Sequence, residues 1–149
     1  MSITNIVEEV KLIHPKYIAL VKAGKFYSSY GKDAYILSYI FKYQLRKTER
    51  NIETAGFPEG SLKKIEAHLQ ENKINYLILD RRNNYEVDEK NDNGNLNQYD
   101  KTFEKAKKYV NNKKRLDHIY EYMIENINKS DSKKILDNME EIINERRKV

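Results

Sequence analysis

Few side chains in this sequence are of types and spacings that could do chemistry. Ser28 and Ser29 are adjacent hydroxyls, but no nearby His or Asp suggests activation of either as a nucleophile. His14, His68 and His118 are far apart and lack the paired spacing of a metal site, so they read as surface or packing residues and no metal is expected. There is no cysteine, which excludes disulfides, thiolate catalysis and thiolate-ligated metals. A phosphate-cradling loop needs a glycine five positions before a Gly-Lys pair, then Ser or Thr. Gly24-Lys25 has Ala19 upstream and Phe26 downstream, and Gly31-Lys32 has Phe26 upstream and Asp33 downstream, so neither pair qualifies. No catalytic residue and no cofactor is expected, and the chain reads as a non-enzyme.

Aromatic and basic side chains are what is left, and their chemistry is stacking and phosphate contact. Phe26 stands between Lys25 and Tyr27 in a short run rich in aromatics, where it is either a core residue of a strand or an exposed binding aromatic. Tyr35, Tyr39 and Tyr43 recur every four residues beside Lys42, Arg46, Lys47 and Arg50. That stripe either stacks on single strands or rims a core, and the rim is the favoured reading. Lys113-Lys114-Arg115, placed at a helix start, reads as a solvated face. Lys and Arg number 28 against 23 Asp and Glu, a net charge of +5 and a mild bias toward anionic partners.

These residues need elements to position them. Tyr17 to Lys22 is a β-branched and apolar run, and after Ala23-Gly24 the run Lys25 to Tyr30 completes a β-hairpin. Lys32 to Gln44 is an amphipathic helix with Ala34, Leu37, Ile40 and Phe41 inward and Lys32, Ser38 and Lys42 toward water. Leu45 to Thr54 reads as a strand, with Ala55-Gly56-Phe57-Pro58 as the turn that ends it. Ser61 caps a helix carrying Leu62, Ile65 and Leu69, closed by Glu71-Asn72-Lys73, and Ile74 to Leu79 is a buried strand. Asn83 to Gln98 reads as an exposed Asn-rich loop in which Tyr85 to Val87 gives the only hint of a strand. Three helical stretches follow, around Phe103, Ala106 and Val110, then Leu116, Ile119, Met123 and Ile127, then Leu136, Met139 and Ile143.

The order of elements is α/β (α+β): a mixed β-sheet packed with helices, followed by a helical C-terminal extension. The expected organisation is an N-terminal helical segment over 1–14, an α/β domain over 15–90, an exposed loop over 91–98 and a helical region over 99–149. The first residues carry Glu8 and Glu9 and lack an apolar run, so no signal peptide is read, no segment spans a membrane, and a cytoplasmic location is expected.

Gly24-Lys-Phe-Tyr-Ser-Ser-Tyr-Gly-Lys-Asp-Ala34 resembles the hairpin-to-helix segment of the mismatch-recognition domain at the front of MutS proteins, where Gly-Asp-Phe-Tyr-Glu is followed by Asp-Ala. Ala55-Gly56-Phe57-Pro58 resembles that family's Ala-Gly-Ile-Pro segment, which also leads into an amphipathic helix and a hydrophobic strand like Tyr76 to Leu79. The resemblance implies a MutS domain I-like fold, without the large C-terminal ATPase of full MutS proteins. It places Phe26 where the family's phenylalanine wedges into the duplex and stacks on a mispaired base, and Ser28 where a glutamate hydrogen-bonds that base. Lys25 replaces the motif's aspartate, so both departures remove negative charge. Ser28 offers a hydroxyl in place of a carboxylate acceptor, and Lys25 adds a candidate phosphate contact.

The expected function is a non-enzymatic nucleic-acid-binding module that contacts distorted duplex or backbone with weakened mismatch discrimination. Phe26, Ser28, Lys25 and Tyr27 are its candidate contacts, and DNA its first expected partner, with RNA or single strands as alternatives. The competing reading is a protein-interaction adaptor that keeps a MutS-like scaffold and recruits a partner through the C-terminal helices.

Overall fold

The computed structural model describes residues 3–94 and 96–148, which divide into two compact units, residues 1–110 and 111–149. The first unit is built on a six-stranded mixed sheet. Its strands are β1 (Ile18–Ala23), β2 (Phe26–Tyr30), β3 (Arg46–Lys47), β4 (Glu53–Pro58), β5 (Tyr76–Asp80) and β6 (Val87–Asn91), in the order β3-β4-β2-β1-β5-β6. All neighbours pair antiparallel except β1 and β5, which run parallel. That parallel pairing needs a crossover, supplied by α2 (Lys32–Phe41), β3, β4 and α3 (Leu62–Glu71). The helix α1 (Ile3–Ile13) precedes the sheet.

The hairpin β1–β2 pairs Ala23 with Phe26, so its two loop residues are Gly24 and Lys25, one position later than the sequence suggests. Gly24 has φ +63°, and Lys25 does not share the positive φ. A two-residue hairpin with positive φ at its first position alone favours glycine there, because a Cβ would be strained. The shift matters for function, since it moves Lys25 out of the ladder and onto the exposed tip.

Alternation along the strands divides two cores. Ile18, Leu20, Tyr27, Ala55, Phe57, Tyr76 and Ile78 point to one face, where Ala34, Ile36 and Leu37 of α2 and Ile65 and Leu69 of α3 pack. Tyr99 and Ala106 close the same core from α4 (Asn97–Glu125). On the other face, Val7 of α1 packs on Ala19, Val21 and Leu79, with Tyr30 and Tyr85 against the cluster. β5 is buried at every position, as expected of a strand covered on both sides.

Several expectations are corrected. Ala55-Gly56-Phe57-Pro58 is not a turn but the body of β4, held by pairing of Ser29, Ser28, Tyr27 and Phe26 of β2 with Ala55, Gly56, Phe57 and Pro58. Pro58 is tolerated because it ends the strand where β3 no longer runs beside it. Ser38 is buried at 6 % exposure rather than facing water, and α2 stops at Phe41, short of Gln44, because Lys42 takes a left-handed conformation at φ 62°. Ser61 makes no side-chain cap bond, since the turn Glu59–Ser61 already winds helically into α3 and Ser61 is itself in helical conformation. Val87–Asn91, read as loop, forms β6 on the sheet edge, with an irregular step at Ile78/Leu79 of its partner β5. The first two of the three helical stretches are one helix, α4, because neither Gly nor Pro falls between Asn97 and Glu125. Lys113-Lys114-Arg115 therefore lies inside a helix, with Lys113 paired to Asp117 at 2.7 Å.

The second unit comprises the end of α4 and α5 (Ser130–Arg147). The intervening turn is fixed by Asn126 Nδ2 donating to the Tyr122 carbonyl at 2.8 Å and by Ser132 Oγ donating to the Asn126 carbonyl. No helix among the described residues is long and apolar enough to cross a membrane.

Candidate nucleic-acid interface

Antiparallel partners directly opposite one another share a sheet face. Phe26 and Ser28 therefore face the same way as Pro58 and Gly56, and Arg46, opposite Thr54, joins them from β3. At the β1 and β5 end, α1 covers this face, whereas toward the hairpin tip and β4 it is open. Phe26 is 48 % exposed there, and Lys25 beside it is exposed on the loop.

Gly56 explains how Phe26 is held. A Cβ added at Gly56 would lie 2.8 Å from the Phe26 ring and 2.8 Å from the Tyr27 carbonyl oxygen, so the ring rests directly against the bare glycine backbone. The aromatic is thus supported from beneath and exposed above, which is the geometry a stacking platform requires.

Tyr27 is corrected from contact to core. It is 5 % exposed on the opposite face, stacked on Phe57 with ring centroids 5.3 Å apart and 13° between planes. Strand alternation forces this: if Phe26 and Ser28 face out, Tyr27 must face in. Lys22 Nζ lies 5.9 Å from the Tyr27 ring and 3.5 Å from Glu59.

Ser28 is half-buried between Phe26 and Tyr30. The Tyr30 hydroxyl is pushed above its ordinary value by burial first and by neighbouring Tyr85 second, offset in part by a hydrogen bond from Ser28. A hollow of about 290 Å³ opens beside these residues, walled by Phe26, Ser28, Thr54, Gln44 and Arg46 and floored at Gly56. Gln44 was not singled out in the sequence, and Arg46 entered only as a neighbour of the tyrosine stripe. β3 is two residues long and has no periodicity to read.

The tyrosine stripe is a core rim. Tyr35 packs on Phe103 at 6.1 Å, Tyr39 on Tyr109 at 5.8 Å and Tyr43 on Phe57 at 5.9 Å, each partly buried against the main core. Lys42 Nζ sits 4.1 Å from the Tyr109 ring. The histidines are dispersed, His14 edge-on to Tyr17 and His68 edge-on to Phe41, and no group of His, Asp and Glu among the described residues could hold a metal ion.

Away from this face lies a buried polar cluster. Asp33, 1 % exposed, accepts from the Ala19 amide at 3.0 Å, the Tyr99 hydroxyl at 2.6 Å and Lys11 Nζ at 3.0 Å. Every bond runs between different elements, so the carboxylate ties α1, β1, α2 and α4 together. All three donors to it come from the protein itself, which rigidifies the junction of these elements.

No curated protein matches the chain. The family model for MutS domain I matches residues 2–91, more than half of the 149 residues, and with the mixed sheet and the hairpin geometry this shows that the chain belongs to the MutS domain I family.

Proposed function

We propose that this protein is a non-enzymatic nucleic-acid-binding module that engages DNA duplex where it is already distorted, with weaker base discrimination than a glutamate at position 28 would give. The observation that carries the reading is Phe26: half-exposed, braced on Gly56 and next to Lys25 on the hairpin tip. Wedging an aromatic into a base step costs a few kcal/mol of unstacking, least where pairing is already lost. Stacking on the ring returns about 1–3 kcal/mol per base. The difference favours bulged or mispaired sites over perfect duplex, while Lys25 adds affinity that ignores sequence.

Fluorescence anisotropy with perfect duplex, single-base-bulged duplex, single-stranded DNA and RNA at several salt concentrations tests this. Salt-sensitive binding with a clear preference for the bulged duplex is expected, and equal affinity for all four would overturn the reading.

A second reading, a protein adaptor, is favoured by one observation in residues 111–149. There Met123 is buried, while Leu116, Ile119, Ile127, Ile142 and Ile143 are 46 to 61 % exposed. Pull-down with and without nuclease separates the two, because partners held through nucleic acid vanish on digestion and direct partners persist.

A further inference from the structure

Beside Phe26 a hollow of about 290 Å³ is lined by Phe26, Ser28, Gln44, Arg46 and Thr54. The Phe26 ring itself takes the space above Gly56, and Ser28 opposite has only a short side chain, so the hollow opens at the edge of the ring. Of its hydroxyls, Thr54 Oγ1 already donates to the Ser29 carbonyl at 2.9 Å, and Ser28 is half-buried. The remaining polar side chains of the wall are Gln44 and Arg46, both exposed, and no carboxylate is among the lining residues.

We propose that Gln44 and Arg46 read the unpaired base stacked on Phe26 on its major-groove edge, favouring guanine and thymine, which carry a carbonyl there (O6, O4), over adenine and cytosine, which carry an amino group there. This rests on the nucleic-acid reading above. Arg46 offers donors only, and a charged donor makes hydrogen bonds roughly twice as strong as a neutral one. Guanine presents O6 and N7, and thymine its carbonyl oxygens, to such donors. Adenine and cytosine set an amino group beside their ring acceptors, which meets the guanidinium N–H groups unfavourably. Gln44, with both donor and acceptor atoms, accommodates either and adds reach. Stacking on Phe26 is indifferent to base identity because every base has a π-face, so preference for a bulge and preference among bases reside in different residues.

The test uses the full chain and duplexes identical except for one extra nucleotide, G, T, A, C or an abasic residue, alongside the perfect duplex. Wild type is expected to bind G and T bulges about tenfold tighter than A and C bulges. Arg46→Gln, a substitution at an exposed strand position, should cut that ratio to about twofold, while bulged duplex stays preferred over perfect duplex. Gln44→Ala should weaken binding to all four bulged bases by a similar factor and leave the ratio standing. Equal affinity for all four bulged bases in wild type would overturn this inference and leave the nucleic-acid reading standing. So would a uniform loss in Arg46→Gln on every duplex with the salt slope reduced by about one, the mark of a phosphate contact. Absence of any bulge preference in wild type would overturn both.

Discussion

The Tyr99 hydroxyl donates to the Asp33 carboxylate at 2.6 Å, joining the first turn of α4 to the start of α2 across the buried core. Asp33 belongs to the Asp-Ala pair after the hairpin, whereas Tyr99 lies beyond residue 91, where the family match ends. The folded unit is therefore larger than the family segment, and its last piece is bolted on by a buried hydrogen bond.

Replacing Tyr99 by Phe keeps the ring and removes only the hydroxyl. The variant should lose about 1–3 kcal/mol in denaturant unfolding, because the buried carboxylate is left short of a donor. A pH dependence accompanies it. Burial, and then the charge and hydrogen bond of Asp33, push the Tyr99 hydroxyl well above its ordinary value of 10. The unfolded chain releases this proton near pH 10 and the folded chain keeps it, so the contribution is intact below pH 10 and declines as pH rises beyond it. Denaturation midpoints from pH 8 to about 11 should fall more steeply for wild type than for Tyr99→Phe. Parallel slopes would show that the phenol is not held neutral by the fold.

Truncation locates the limit of the folded unit. A chain ending after Val110 keeps Tyr99 and Ala106 and should unfold cooperatively. One ending at Leu96 removes the α4 partners of Asp33, Tyr35 and Tyr39 and should lose several kcal/mol or its cooperativity, by an amount on the order of a large core deletion. Similar unfolding curves for both truncations would contradict the role given to α4.

Gly56→Ala probes the support beneath Phe26. The new Cβ meets a ring atom and a backbone carbonyl at 2.8 Å, and the carbonyl cannot yield cheaply. A loss of about 1–3 kcal/mol is expected, as for overpacking elsewhere. Near-neutral stability would mean that the strands β2 and β4 have slack the geometry does not suggest.

Lys25 sits in the hairpin loop with no place in the ladder. Lys25→Ala should weaken binding to perfect and bulged duplex by the same factor and lower the slope of log affinity against log salt by about one, with stability unchanged. A loss confined to bulged duplex would reassign Lys25 from phosphate to base.

The parts of this fold legible in the sequence are those where local pattern and final structure agree. Ile18 to Tyr30 announced its hairpin, and Ile74 to Leu79 its burial, because runs of β-branched and aromatic residues have few alternatives. Gly56 and Pro58 are breakers in isolation, so Ala55 to Pro58 reads locally as a turn, and only pairing with β2 makes it strand. Val87–Asn91 was hidden by its Asn- and Asp-rich surroundings, being an edge strand that β5 recruits. At the site, the family resemblance indicates Phe26 and Lys25, whereas adjacency alone indicates Tyr27, which strand alternation turns into the core. Gln44 and Arg46 reach the hollow only through the pairing of Arg46 with Thr54, a contact no local window displays.

The most direct measurement is the ratio of affinities for single-base-bulged and perfect duplex, by anisotropy, in wild type and Phe26→Ala. If Phe26 is a stacking wedge, the substitution should reduce bulge affinity by about 1–3 kcal/mol and perfect-duplex affinity far less, bringing the ratio toward one. Equal loss on both duplexes, or an unchanged ratio, would contradict the wedge.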